Sequence, residues 1–366
     1  MFARRSLLVG VLLAVVGCKG NQASDAPGVS SATSSAPKKD ELVSLNGAGA
    51  TFPFPLYSKW IAEYNKLNPN VKINYQSIGS GGGIRQVIAG TVDFGATDAP
   101  MKDDETKQAP GKLFHIPATI GAVVIAYNVP EIAGGTLRLD PEVLADIYLG
   151  KIKRWNDAKI KADNPELKLP AKDISVIYRT DGSGTTAVFT DLLAKISKDW
   201  HDKVGAGKNV DWPSGLGAKG NEGVTGQVKT TPYTIGYIER AYASQNKLPM
   251  AELKNRAGKF VAPSIEAMSA AANAVEIPDE LFVSLSNAEG DAVYPITSYS
   301  YLLVYENSKD SVKGEALAKY VWWGLHDGQK FSPALDYAPI PSKVLTKVEA
   351  RLKELRSGDK KLLSGS

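Results

Sequence analysis

Hydrophobic and small residues alternate along this chain in three similar blocks, each running from a strand-like or small-residue stretch through a tight loop into a helix. The first opens at Leu45-Asn46-Gly47-Ala48-Gly49-Ala50-Thr51-Phe52-Pro53. Leu56, Trp60, Ile61, Tyr64 and Leu67 follow at the three- and four-residue intervals of one helix face. In the second, Val71, Ile73 and Tyr75 alternate as in a half-buried strand, Ile78-Gly79-Ser80-Gly81-Gly82-Gly83 forms a loop, and IRQVIAG (84–90) predicts a helix. The third alternates at Ile174, Val176 and Tyr178, turns through Arg179-Thr180-Asp181-Gly182-Ser183-Gly184-Thr185, and resumes with Val188, Phe189, Leu192, Leu193 and Ile196 on a helix face. Trp60 and Tyr64 belong to core packing at this spacing. AVVIAYN (122–128) and YPITSYS (294–300) read as β-rich, and no repeat of solenoid period is present.

The amino end has a different pattern. Arg4 and Arg5 precede an apolar run from Leu7 to Val16 that is too short to span a bilayer, so residues 1–17 read as a secretory signal. The single cysteine, Cys18, follows Val15-Val16-Gly17, which resembles the cleavage box of bacterial lipoproteins. In those proteins the cysteine becomes the lipidated amino terminus. From Cys18 to residue 41 the chain is rich in Ser, Ala and Pro and poor in large apolar side chains, which predicts a flexible tether. The expected localisation is a cell-envelope, periplasmic lipoprotein held at a membrane on its extracytoplasmic side.

Composition narrows the function classes. With 43% hydrophobic and 22% charged residues the chain is neither a multi-span membrane protein nor wholly disordered, and 366 residues suggest about two domains. The net charge is +4; residues 1–17 hold two of the 43 cations and none of the 39 acids, so the remainder carries 41 − 39, or +2. That is no electrostatic argument for nucleic acid. Three histidines and one cysteine exclude a Cys/His zinc site and a disulfide framework. No metal or cofactor is implied.

The loop chemistry points to an anion. A helix amino terminus presents unpaired N–H groups and a partial positive charge; glycine admits a ligand to the backbone, and Ser or Thr adds a hydroxyl donor. Three such loops occur here, one carrying an arginine. The phosphate loop of nucleoside triphosphatases is absent, Ile84 stands where a dinucleotide fingerprint needs its third glycine, and Gly182-Ser183-Gly184 is not a nucleophile elbow.

GAGATFP (47–53), SIGSGGG (77–83), TVDFGATDAP (91–100), DIYLGKIKRWND (146–157), RTDGSGTT (179–186), GLGAKGNEG (215–223), TIGYIERAYA (234–243) and YPITSYSYLL (294–303) together resemble the phosphate-binding protein of bacterial phosphate-specific ABC transporters. The resemblance implies an α/β, two-lobed periplasmic-binding-protein fold of type II, its lobes joined by a two-stranded hinge with the ligand in the cleft. Lobe I is then 42–127 plus 297–366, and lobe II is 128–296. It also implies a non-catalytic monomer that binds inorganic phosphate and delivers it to membrane permease subunits. The phosphate-binding residues carried over are Thr51, Phe52, Ser80, Asp98, Arg179, Ser183, Gly184 and Thr185, with Asp181 pairing with the arginine. Gly81 stands where the family more often has a second serine.

Arginine suits an oxyanion because it is planar, always charged and bidentate. Asp98 makes sense in such a site only if the ligand has a proton to donate, which phosphate keeps near neutral pH and sulfate does not. Two other readings stay open on sequence: a metal-independent phosphohydrolase using Ser183, and a binding protein for a related oxyanion such as arsenate.

Overall fold

The computed structural model describes residues 42–363. The signal (1–17), Cys18 and the tether (18–41) lie outside them. Eight strands form one sheet: β1 (Val43–Gly49), β2 (Val71–Ser77), β3 (Phe94–Thr97), β4 (Leu113–Asn128), β6 (Ser175–Arg179), β7 (Leu216–Ala218), β8 (Thr234–Glu239) and β11 (Thr297–Tyr305). Their order is β2-β1-β3-β11-β4-β8-β6-β7. A smaller sheet joins β5 (Arg138–Leu139), β9 (Glu252–Lys254) and β10 (Phe260–Val261).

The strand directions create the cleft. β1 is parallel to β2 and β3, and β11 runs antiparallel to both β3 and β4, so β4 points the same way as β1–β3. β4 pairs with β11 from Leu113 to Ala122 and with antiparallel β8 from Val123 to Asn128. Its partner therefore changes between Ala122 and Val123, inside the predicted AVVIAYN crossing. The Val123 N–H also donates to the Ile296 carbonyl at 2.9 Å, beside the second crossing. Because β6 and β7 run with β8, the carboxyl ends of β6 and β8 face those of β1 and β3 across this junction. Parallel α/β sheets place ligands at those ends, and here two sets converge.

The helices follow the apolar spacing. Phe54–Leu67 buries Leu56, Tyr57, Trp60 and Tyr64, and the Trp60 indole N–H donates to the Gly328 carbonyl at 2.9 Å. Leu67, expected on the same face, ends the helix and is 65% exposed. Gly184–Ile196 begins where the Ser183 hydroxyl oxygen accepts the Thr186 N–H at 2.9 Å, an ordinary N-cap.

One boundary differs from expectation: the second helix runs Ser80–Ile88, so Gly81–Gly83 are helical rather than loop. Glycine is a poor helix former by about 1 kcal/mol relative to alanine, but closeness overrides that here. A methyl group on Gly83 would lie 2.4 Å from the Gly49 Cα. Only glycine lets this helix seat its first turn against the end of β1.

Candidate functional site

Each candidate residue stands at or just beyond a strand end or at a helix start. Thr51 and Phe52 lie between β1 and the helix Phe54–Leu67; Ser80 opens the helix after β2; Asp98 follows β3. Arg179 ends β6, and Ser183, Gly184 and Thr185 lie at the start of the next helix. Thr51, Phe52, Ser80, Asp98, Arg179, Ser183 and Thr185 are all buried. Several of their polar atoms and backbones meet. A methyl group on Gly184 would sit 2.3 Å from Ser80 Oγ and 2.4 Å from Asp98 Oδ2, so any larger residue would separate these groups. The Gly81 N–H donates to the Gly182 carbonyl at 2.8 Å, and Lys208 pairs with Glu105 at 2.8 Å, both across the same cleft.

Asp98 sits in a nest of hydroxyls. Ser300 donates to its Oδ1 at 2.8 Å, Ser80 donates to its Oδ2 at 3.3 Å, and Ser298 donates to its carbonyl at 3.0 Å. The antiparallel pairing of β3 with β11 sets this up, since Thr97 stands opposite Tyr301. A register shift between Ser300 and Tyr301, next to Pro117, marks a bulge of the kind that re-aims side chains. Burial outweighs those hydroxyls and Arg179, and pushes the Asp98 carboxyl up to about 7. The carboxyl is thus poised to share a proton near neutral pH.

Arg179 is held side-on. Its Nε and Nη2 donate to the two oxygens of Asp181 at 2.8 and 2.5 Å, and Nη1 donates to Thr185 Oγ1 at 3.3 Å. Three of five guanidinium N–H groups are used, leaving one on each Nη for a ligand. Burial would raise the Asp181 carboxyl, but bonds from Arg179 and the Gly220 N–H hold it below the usual range. Beneath the arginine, Phe189 stacks on Tyr237 at 4.4 Å, and the Tyr237 hydroxyl accepts the Arg179 backbone N–H at 3.0 Å. A rigid aromatic core thus fixes the strand end.

Sequence reasoning singled out none of Asn221, Ser298, Ser300, Tyr242, Glu239 or Tyr337. Asn221, in the helix Gly220–Thr230, bonds both Thr51 and Thr185. Tyr242 donates to the Thr51 carbonyl at 2.6 Å, and Tyr337 donates to the Phe52 carbonyl at 2.6 Å while its hydroxyl oxygen lies 3.1 Å from Glu239 Oε2. Glu239 is completely buried at the β4 partner change, and burial raises its carboxyl well above the ordinary range. Ser298 and Ser300 had a usable signal: they are polar residues two apart in an otherwise apolar strand, hence on one face. Among the described residues no group of three His, Cys, Asp or Glu side chains is placed to hold a metal ion.

Fold and cleft define the class: a two-lobed α/β binding protein of type II, with a family model described as "PBP superfamily domain" matching residues 22–323. The chain is 48% identical over 322 residues to the phosphate-binding protein PstS of Pasteurella multocida, covering 87% of this chain and 93% of that one. It belongs to the family of PstS phosphate-binding proteins. Solved structures share the fold at lower identity. A high-affinity periplasmic phosphate-binding protein (PfluDING) bound with phosphate matches at 20% identity and a TM-score of 0.68, over 84% of this chain and 93% of that one. A putative phosphate ABC transporter substrate-binding protein with bound phosphate from Clostridium perfringens matches at 17% identity and a TM-score of 0.60, over 81% of this chain and 100% of that one.

Proposed function

We propose that this protein captures inorganic phosphate outside the cytoplasmic membrane and delivers it to the permease of an ABC transporter. The observation that carries the reading is one proton-accepting carboxylate, Asp98, set inside a cage otherwise made of donors. Those donors are the hydroxyls of Thr51, Ser183 and Thr185, that of Ser80 once it turns from Asp98 Oδ2 to the ligand, the backbone N–H groups of Phe52, Gly184 and Thr185, and the two free N–H groups of Arg179. Asp181 balances the charge of Arg179 without occupying its remaining donors. Phosphate is acceptor-rich and keeps a proton for Asp98, so its chemistry complements this set. The names of the relatives and of the structural neighbours agree.

The lobes divide as 42–127 plus 297–366 and 128–296, and the protein acts as a monomer whose cleft opens and closes about the β4–β11 crossing. The Ser183 hydrolase reading is not favoured. Its hydroxyl oxygen accepts the Thr186 N–H, while His115 Nε2 bonds Met101, His201 Nδ1 bonds Asp202, and His326 bonds Trp322 and Glu349 through its two ring nitrogens. Calorimetric titration of the purified protein with phosphate, arsenate, sulfate and molybdate tests the ligand. Phosphate should bind with high affinity and sulfate should not; heat from another anion alone would overturn the assignment.

Among the described residues no helix is long and apolar enough to cross a membrane, so attachment falls to the amino end. We place a lipid on Cys18, with residues 19–41 as the leash. Cys18→Ser is expected to abolish incorporation of a labelled fatty acid and leave phosphate affinity unchanged, measured by labelling in cells and by calorimetry. Label retained on the serine variant would sink the anchor.

A further inference from the structure

We propose that Asn221 is a positioning residue that makes the hydroxyls of Thr51 and Thr185 obligate donors toward the bound anion. The proposal rests on the phosphate reading above and concerns a residue outside its ligand set.

The amide of Asn221 is oriented by its surroundings. It is completely buried, and the Glu239 backbone N–H points at it from 2.9 Å. An N–H needs an acceptor, so the atom facing Glu239 is Oδ1, and Nδ2 faces the other way. There it has two hydrogens and two partners: Thr51 Oγ1 at 2.7 Å and Thr185 Oγ1 at 3.1 Å. Each threonine oxygen receives a second donor as well. The Asn221 backbone N–H reaches Thr51 Oγ1 at 3.3 Å, and Arg179 Nη1 reaches Thr185 Oγ1 at 3.3 Å.

A hydroxyl oxygen has two lone pairs and one hydrogen. Both lone pairs of both threonines are thereby engaged, and each can now act only as a donor. Among the described residues neither hydroxyl has a protein acceptor, and both stand at the helix starts that frame the cleft. A freely rotating hydroxyl could offer a lone pair to the ligand and tolerate a donor there. These two cannot. Asn221 thus removes Thr51 and Thr185 as acceptors and leaves the ligand's proton to Asp98 rather than to either threonine. Thr51 and Thr185 also come from opposite sides of the cleft, so a single amide sets the polarity on both.

The test is a double-mutant cycle read by calorimetric phosphate affinity, with the melting temperature of each phosphate-free variant as a check on folding. Asn221→Ala should weaken phosphate about 30-fold in the wild-type background and less than about threefold in a Thr51→Val/Thr185→Val background, where no hydroxyl remains to orient. If the combined valine variant binds too weakly to titrate, each single valine background should remove roughly half of the Asn221 effect on a logarithmic scale. Asn221→Asp keeps the shape and serves if the alanine variant fails to fold. Its carboxylate would accept both hydroxyl hydrogens, so it should bind more weakly than Asn221→Ala and recover toward it as the pH falls and the new carboxyl protonates. Equal losses from Asn221→Ala in every background, or an Asn221→Asp profile without that recovery, would overturn the positioning role. Wild-type protein that gives no phosphate heat would instead overturn the phosphate reading, and this inference with it.

Discussion

Replacing Arg179 with alanine is expected to weaken phosphate binding by about a thousandfold, or ~4 kcal/mol, and to destabilise the phosphate-free protein as well. Two effects add. The ligand loses the remaining donor on each Nη, and charge-assisted bonds of this kind contribute about 1.5–3 kcal/mol each. Asp181, only 11% exposed, also loses both of its arginine bonds and keeps the Gly220 N–H at 3.0 Å. Removing one partner of a buried pair costs roughly 3–5 kcal/mol because the other charge is stranded. Here the stranded charge also faces an incoming anion. The pair of variants Arg179→Ala and Arg179→Ala/Asp181→Asn separates these contributions. Neutralising Asp181 should restore most of the stability, read by urea denaturation, and little of the affinity, read by calorimetry. Affinity that survives Arg179→Ala would place the anion elsewhere.

Asp98→Asn should narrow the preference for phosphate over sulfate by about two orders of magnitude, or ~2.7 kcal/mol. Sites built around a ligand hydroxyl reject the analogue lacking it by roughly 10⁴–10⁵. The carboxylate can accept the phosphate proton, whereas sulfate would meet it with lone pairs in a cleft too dry to screen the repulsion. Asparagine can accept from phosphate through its carbonyl or donate to sulfate through its NH₂, so the distinction fades. Competition between the anions on both proteins, at one ionic strength and one pH above about 7 where the phosphate-free Asp98 carboxyl is mostly ionised, measures the ratio. An unchanged ratio would mean that Asp98 does not read the ligand's proton.

The same substitution has a signature in the phosphate-free protein. Burial raises the folded carboxyl to about 7, against about 3.9 in an unfolded chain. The folded state therefore holds the proton more tightly between those values. The associated stability is fully present below about pH 3.9 and is lost as the pH rises through about 7. Asp98→Asn removes that loss. Its stability relative to wild type should grow from about pH 4 to 7 and level off above, by up to roughly 4 kcal/mol.

The three strand–loop–helix units were legible because their signals are local: alternation of two, a cluster of small residues, then spacing of three and four. The anion chemistry was legible for the same reason, since Thr51, Ser80 and Ser183–Thr185 stand where short loops enter helices. What stayed hidden has a non-local cause. Asn221 follows β7, a strand of three residues in which Leu216 is 57% exposed, so no apolar period announces it. Glu239 and Tyr337 acquire their meaning by meeting across 98 residues of chain. The early start of the helix at Ser80 was missed because three successive glycines argue against a helix by propensity, whereas contact with Gly49 decides the matter. The family resemblance supplied Asp98, whose role depends on Ser300, 202 residues away.

The position of β11 bears on how the chain reaches this structure. It is the last strand of the large sheet to be made, yet it lies between β3 and β4 and supplies their only shared neighbour. Until residues 297–305 emerge, β3 and β4 each keep an open edge, and the β1–β3 half cannot join the rest of the sheet. Closing contacts over so long a stretch of sequence is entropically expensive and slow. A chain made from its amino terminus is thus prevented from locking early into a finished body. The half of the sheet that carries Thr51, Ser80 and Asp98 is therefore joined to the half that carries Arg179 only when residues 297–305 are in place.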